Sequence, residues 1–209
     1  PVTSSGFNGI FLVATNPVDI MTRITCTLSG FNPRRVLGTG TALDTARLRY
    51  LLGEYLKVDP RNIHAYVMGE HGDTEFVPWS QAMVATKSIT ELCEESHGSI
   101  CAQELEQISE EVRTAAYKII EAKNATYYGI GMALTRITKA ILGNEHSVLT
   151  VSAMLRGEYG QSGIFTGVPC IINQNGVQRV LPLSLSEEES EKLEQSCQIL
   201  KRSYEELEI

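Results

Sequence analysis

Asp44 and Arg47 stand three residues apart at the start of a helical pattern, and His71 stands in the loop Gly69-Glu70-His71-Gly72-Asp73-Thr74. The spacing of the first two projects both side chains from one side of a helix, a turn apart. One reading is an intrahelical ion pair worth about 0.3–0.5 kcal/mol. The other starts from the unusually apolar helix around them, where two buried charges cost several kcal/mol unless each has its own partner. A histidine for the carboxylate and a substrate carboxylate for the guanidinium would serve. His71, flanked by glycines, is sterically accessible and of a type that titrates near neutral pH. Its expected task is proton transfer, with Asp44 fixing its tautomer as the third group does in hydrolase triads. Glu70-His71 is not a His-Glu-x-x-His signature, and His64, His97 and His146 offer no ligand spacing, so no metal is expected. With no Gly-x-Ser-x-Gly elbow and no reactive-cysteine context, hydrolysis is not expected either.

Around these residues the pattern predicts an α/β start. Gly9 to Ala14 reads as a strand buried on both faces, followed by a helix from about Pro17 to Leu28 and a second strand over Arg35–Gly40. Ligand chemistry in such a β-α-β unit gathers at the carboxyl ends of the strands, where Asn16 and Thr39 stand. Thr41 to Tyr55 reads as a buried helix and Ile63–Gly69 as a strand leading into the His71 loop. Two long amphipathic helices follow, one through Leu105, Ile108, Val112, Ala115 and Ile119, the other through Ile130, Leu134, Ile137 and Ile141. Ser147–Leu155 reads as a strand, and Pro169–Ile172 with Val177–Leu181 as a hairpin about Asn173-Gln174-Asn175-Gly176. Ser186 and Glu189 form a capping box for a last helix whose apolar stripe is Leu193, Cys197, Leu200, Tyr204 and Leu207. The coarse reading is therefore a parallel β-α-β remnant of about forty residues, followed by an α+β domain with antiparallel strands among long helices.

Composition narrows the function. The 209 residues are 43% hydrophobic and 21% charged, which suits a packed protein rather than a disordered one. A net charge of -7 argues against nucleic acid as a partner. The cluster Glu187, Glu188, Glu189, Glu191 and Glu194 reads as a solvated helix face rather than an acidic tail. No apolar run approaches the ~18–20 residues of a membrane span. Cys26, Cys93, Cys101, Cys170 and Cys197 are odd in number and scattered, so no disulfide framework is expected and the cytoplasm is the default compartment.

Three motifs in register resemble the L-lactate dehydrogenases: Val13-Ala14-Thr15-Asn16-Pro17-Val18-Asp19, Gly38-Thr39-Gly40-Thr41-Ala42-Leu43-Asp44-Thr45-Ala46-Arg47 and Met68-Gly69-Glu70-His71-Gly72-Asp73-Thr74. Ala125-Thr126-Tyr127-Tyr128-Gly129-Ile130 is similar to the bacterial members, although Asn124 stands where they generally carry Gly. The resemblance implies an α/β remnant of a Rossmann sheet over residues 1–39 and an α+β catalytic domain over 40–209, NAD as cofactor, pyruvate and lactate as substrates, and a homotetramer. It implies His71 as proton donor and acceptor, Asp44 as its orienting partner and Arg47 as the clamp on the substrate carboxylate. It also implies Asn16 and Thr126 at the substrate, and Ala14, Asn16, Thr39 and Ile130 at the nicotinamide. Malate dehydrogenases share the Asp, Arg and His, and Glu70 before His71 leans toward lactate. Arg49 and His64 match the effector positions of the bacterial enzymes activated by fructose bisphosphate.

The resemblance covers roughly the C-terminal two thirds of such an enzyme. No Gly-x-Gly-x-x-Gly follows a strand, and no acidic residue is placed for an adenosine ribose. Two expectations follow: the catalytic and substrate part of a dehydrogenase, or, for these 209 residues alone, an inactive effector-binding and oligomerisation module.

Overall fold

The structure, a computed structural model, describes residues 2–97 and 101–207. The apolar run after Gly9 forms β1 (Phe11–Val13), which pairs in parallel with β2 (Val36–Gly38) in the register Leu12↔Leu37. Between them α1 (Val18–Ser29) ends at Gly30, whose φ of 67° lets its N–H turn back to Cys26. Pro17, expected as the first helical residue, is instead the extended N-cap after a cis Asn16–Pro17 peptide.

The sheet does not stop at residue 39. Gly38 pairs antiparallel with Ser152, and the order runs β1-β2-β6-β7-β8, where β6 is Ser147–Arg156, β7 Ser162–Asn173 and β8 Gly176–Val180. The expected hairpin is present, with Asn173 opposite Gly176, but β7 begins seven residues before Pro169, at Ser162. Gly163, Gly167 and Pro169 break its sequence pattern and hide this part of the strand.

A smaller sheet joins β3 (Ile63–His64), β4 (Met83–Val84) and β5 (Lys87–Ser88). The strand expected to continue to Gly69 stops at His64 for a local reason. Val67 donates its N–H to Thr45 Oγ1 at 2.9 Å and accepts from Thr41 Oγ1 at 2.7 Å, so side chains at the head of α2 (Ala42–Leu56) replace a neighbouring strand. Nor is α2 buried all round: Leu48 and Leu52 are buried, whereas Ala46 and Tyr50 are exposed.

The helices α3 (Ile89–His97) and α4 (Cys101–Lys123) are joined by a Cys93–Cys101 disulfide, a single bond where the scattered cysteines indicated no disulfide framework; Cys26, Cys170 and Cys197 are free. Asn124, at φ 62°, turns the chain toward α5 (Tyr128–Leu142). The last helix, α6 (Glu187–Glu206), has both halves of the Ser186–Glu189 capping box. Its stripe Leu193, Cys197, Leu200 and Tyr204 is buried, while Leu207 is exposed. Glu189 leaves the solvated face expected for it, because its carboxylate also accepts from Ser80 N at 2.9 Å and from Ser80 Oγ at 2.5 Å.

Two apolar cores result. One lies under the five-stranded sheet and includes Met68, Phe76, Ile137, Val168 and Leu193; the other gathers Leu48, Leu52, Val67, Val77, Ile89 and Leu105. Residues 67–68 and 76–77 belong to the two cores in turn, so the His71 loop emerges at their seam.

Gly40 sets the entry to α2. At φ +50° an added Cβ would lie 2.3 Å from Ser152 N and 2.6 Å from Val151 C, both backbone atoms that cannot step aside. Gly40→Ala is expected to destabilise the protein by at least about 2 kcal/mol, from overpacking and backbone strain together. Urea unfolding checks this, with Gly131→Ala as the control because a Cβ there meets nothing within 4 Å.

Candidate active site

Asp44 is 2% exposed in the first turn of α2, where the positive end of the helix dipole favours its charge. Its Oδ1 accepts from Arg47 Nη1 at 3.1 Å, and its Oδ2 lies 2.7 Å from His71 Nδ1. Both readings of the Asp44–Arg47 spacing therefore hold together: the intrahelical pair exists, and the same carboxylate serves the histidine. The Asp44–His71 contact is close in distance but off the angle of a good hydrogen bond. Catalytic hydrogen bonds in ligand-free sites often have this loose alignment.

The loop that carries His71 is fixed from three sides. Gly69 and Gly167 of β7 exchange two backbone hydrogen bonds, at 2.9 and 2.8 Å. From α6, Ser196 Oγ accepts from Glu70 N at 2.7 Å and meets Thr74 Oγ1 at 3.1 Å, while Thr74 donates to Glu70 Oε2 at 2.6 Å. From α1, Asp19 Oδ2 accepts from His71 N at 2.8 Å. Asp19, read from the sequence as a dipole residue, is thus also an anchor of the loop, and burial pushes its carboxyl up to about 6.

Glu75 is the residue that sequence reasoning missed. Its side chain is 5% exposed and its Oε2 is 3.7 Å from His71 Nδ1. The signal available is its position four residues after His71, which means little in a loop of unknown path. Burial opposes a charge on His71, but the carboxylates of Asp44 and Glu75 outweigh it and raise the imidazole from 6.5 to about 10. Asp44, His71 and Glu75 each bring one ligand atom within 4.8 Å of the others, a grouping of a kind that holds cations. The Arg47 guanidinium already engages Asp44, so a further cation would meet its positive charge at close range.

The remaining expected residues sit as follows. Ala14 and Asn16 follow β1 and Thr39 follows β2, so all three are at the carboxyl ends of the parallel pair; Thr39 N donates to Val13 O at 2.8 Å. Asn16 is exposed and Thr39 buried. Thr126 is half-buried before α5 and Ile130 half-buried within it, and neither is hydrogen-bonded to the His71 cluster. Arg49 Nε donates to Ala65 O at 3.0 Å with the guanidinium 5.0 Å from the Tyr66 ring centre, and His64 is exposed on the preceding residue.

A family model described as the α/β C-terminal domain of lactate/malate dehydrogenases matches residues 41–208. The chain belongs to that family. Within it, the chain is 53% identical over 202 residues to L-lactate dehydrogenase 2 of Bacillus anthracis and, to the same extent, to L-lactate dehydrogenase 2 of a Bacillus cereus strain. Those 202 residues are 97% of this chain and 64% of each relative, so the chain spans less than two thirds of their length. Among solved structures it is similar to the minor L-lactate dehydrogenase from Enterococcus mundtii in ligand-bound form, with a TM-score of 0.90 and 50% identity over 96% of this chain and 64% of that one. It is also similar to MGS-M5, a lactate dehydrogenase from a Medee basin deep-sea metagenome library, with a TM-score of 0.96 and 46% identity over 100% of this chain and 66% of that one. The expected membership and the expected α/β and α+β fold class both stand.

Within this lactate/malate dehydrogenase fold, the His71 pair makes stability depend on pH with a definite sign. The folded imidazole holds its proton more tightly than the unfolded one, so the stabilisation is complete below about 6.5 and is lost as pH rises through about 10. Urea midpoints of the wild type are expected to fall across that window and those of His71→Asn to fall less. Parallel curves would remove the pairing.

Proposed function

We propose that these residues are the catalytic and substrate-binding part of an NAD-dependent L-lactate dehydrogenase, with residues 1–39 the end of its dinucleotide-binding domain. The observation that carries the reading is the shared Asp44 carboxylate, which joins a proton donor and a carboxylate clamp in one buried unit. Pyruvate and lactate are small acids that need both.

Arg47, half-buried beside Asp44, offers a planar fork suited to two parallel hydrogen bonds with a substrate carboxylate. His71 has Nδ1 turned to Asp44, and its Nε2 makes no hydrogen bond among the described residues. That nitrogen is the donor to the carbonyl oxygen during reduction, and the acceptor from the hydroxyl in the reverse direction. Asp44 steadies the imidazolium and the ring tautomer, so the proton is in place as negative charge develops on oxygen.

The residues fit the nicotinamide end of NAD. Exposed Asn16 and the Thr39 hydroxyl, which has no hydrogen bond among the described residues, stand at the carboxyl ends of β1 and β2 with Ala14 beside them, and we assign half-buried Ile130 of α5 to an apolar face of the ring. When bound, the cofactor supplies the hydride. We assign Thr126 to the substrate side.

Arg49 and His64 we assign to an anionic effector of the fructose bisphosphate type in a homotetramer. Their support is the resemblance together with placement: the Arg49 guanidinium is tied to the backbone next to exposed His64. A cytoplasmic location rests on the family alone, since the Cys93–Cys101 bond removes the cysteine argument for it. Among the described residues no helix is long and apolar enough to cross a membrane.

In the intact protein, His71→Asn is expected to slow pyruvate reduction roughly 10²- to 10⁴-fold, the usual worth of a positioned acid. Arg47→Lys is expected to weaken pyruvate binding while leaving His71 titration in place. Steady-state kinetics over a pyruvate series measures both, and a loss under threefold in His71→Asn would sink the assignment. Fructose bisphosphate is expected to promote the tetramer in sedimentation, because binding and assembly are linked. The double variant Arg49→Gln, His64→Ala is expected to abolish the response, and identical profiles with and without ligand in the wild type would refute the effector site.

A further inference from the structure

Two carboxylates face one ring nitrogen. Asp44 Oδ2 is 2.7 Å and Glu75 Oε2 3.7 Å from His71 Nδ1, and both carboxylate side chains are at most 5% exposed. A single Nδ1–H serves one acceptor, and the nearer is Asp44. Glu75 therefore faces the imidazole as a charge rather than as the partner that sets its tautomer. It also borders a second space, a cavity of about 290 Å³ lined by Ser109 and Arg113 of α4 and by Lys192 and Gln195 of α6.

The charges around the pair can be counted. From α2 come Asp44 and Arg47; from the loop come His71, Glu75, Glu70 and Asp73; from α1 comes Asp19, on the backbone N–H of His71. From α4 come Arg113, held by Glu110 and 3.9 Å from Asp73, and Glu106, which lines the cavity with them. Lys192 on α6 is taken by Glu188 at 2.6 Å. With His71 protonated, the inner four (Asp44, Glu75, Arg47, His71) sum to zero. Once His71 has given up a proton they sum to minus one, with little water to screen it.

We propose that Glu75 is a positioning residue for His71, a buried counter-charge that takes up a proton from solvent when His71 surrenders its own. The proposal rests on His71 being the proton donor. The balance is simple: the His71 Nε2–H bond breaks as the proton passes to the substrate oxygen, and a proton from bulk water adds to the Glu75 carboxylate. On the return of a proton to His71, Glu75 releases its own. The cavity beside Glu75 gives this exchange a side other than the substrate's. Consistent with this, burial and the Asp44 charge push the Glu75 carboxyl up to about 7, against the opposing pull of His71 and Arg47.

The test is an NMR titration of the intact protein without substrate or cofactor, which needs no turnover and so fails separately from the dehydrogenase reading. The carboxyl carbon of Glu75 is expected to titrate near pH 7 in the wild type, and a midpoint in the ordinary carboxylate range near about 4 would overturn the proposal. The His71 ring signal, assigned by its loss in His71→Asn, is expected to have its midpoint lowered by about one unit or more in Glu75→Gln, the usual effect of removing an opposite charge at this range. Glu75→Asp, which keeps the charge on a shorter arm, is expected to restore part of that shift. A Glu75→Gln midpoint equal to the wild type's, or a Glu75→Asp midpoint equal to that of Glu75→Gln, would show that the carboxylate acts only through packing. Should Glu75→Gln fail to fold, the wild-type carboxyl titration and Glu75→Asp decide.

Discussion

The Asp44 carboxylate is the constraint on which the site depends. Buried in the first turn of α2, it holds Arg47 with one oxygen and faces His71 with the other. A buried carboxylate survives only with such partners, and truncating one of them would leave the charge uncompensated. The fold around it can be understood as the means of bringing a loop 27 residues further along the chain to the head of a helix. Gly40 permits the tight entry to α2, Thr41 and Thr45 hold Val67 in place of a strand, and Ser196 and Asp19 fix the loop itself.

Much of this is legible from local signals. The capping box of α6, the stop at Gly30, the turn at Asn173–Gly176 and the amphipathic periods of α4 and α5 are short-range features, and each lies where its residues indicate. What is not legible depends on contacts between distant segments. In the early half of β7, Gly167 leaves room for Thr41 and Gly69, since a Cβ there would meet Thr41 Oγ1 at 2.6 Å and Gly69 O at 2.8 Å, whereas Gly163 is required by its φ of +73°. Such glycines look like breaks until the approaching backbone is known. The end of β3 is hidden for a related reason, because hydroxyls from another element, not a strand, satisfy Val67.

In the site the same division holds. Asp44, Arg47 and His71 can be singled out because their types and spacing imply a shared task, and the structure brings all three together. Glu75 and Asp19 cannot, because their roles come from the path of the loop. Asp19 acts on the backbone of His71, and Glu75 on its ring, from positions with no periodic relation to it.

The paired hydrogen bonds between Gly69 and Gly167 couple the loop's mobility to the sheet. At Gly167 the strand pairs with Ser152 of β6 on one side and with Gly69 on the other, beyond the reach of β8, so the base of the loop takes the place of a further strand. The amide protons of Gly69 and Gly167 should then exchange with solvent in the same cooperative unit as the sheet, and far more slowly than loop residues usually do. The base of the His71 loop therefore shares the local stability of the sheet rather than that of a surface turn.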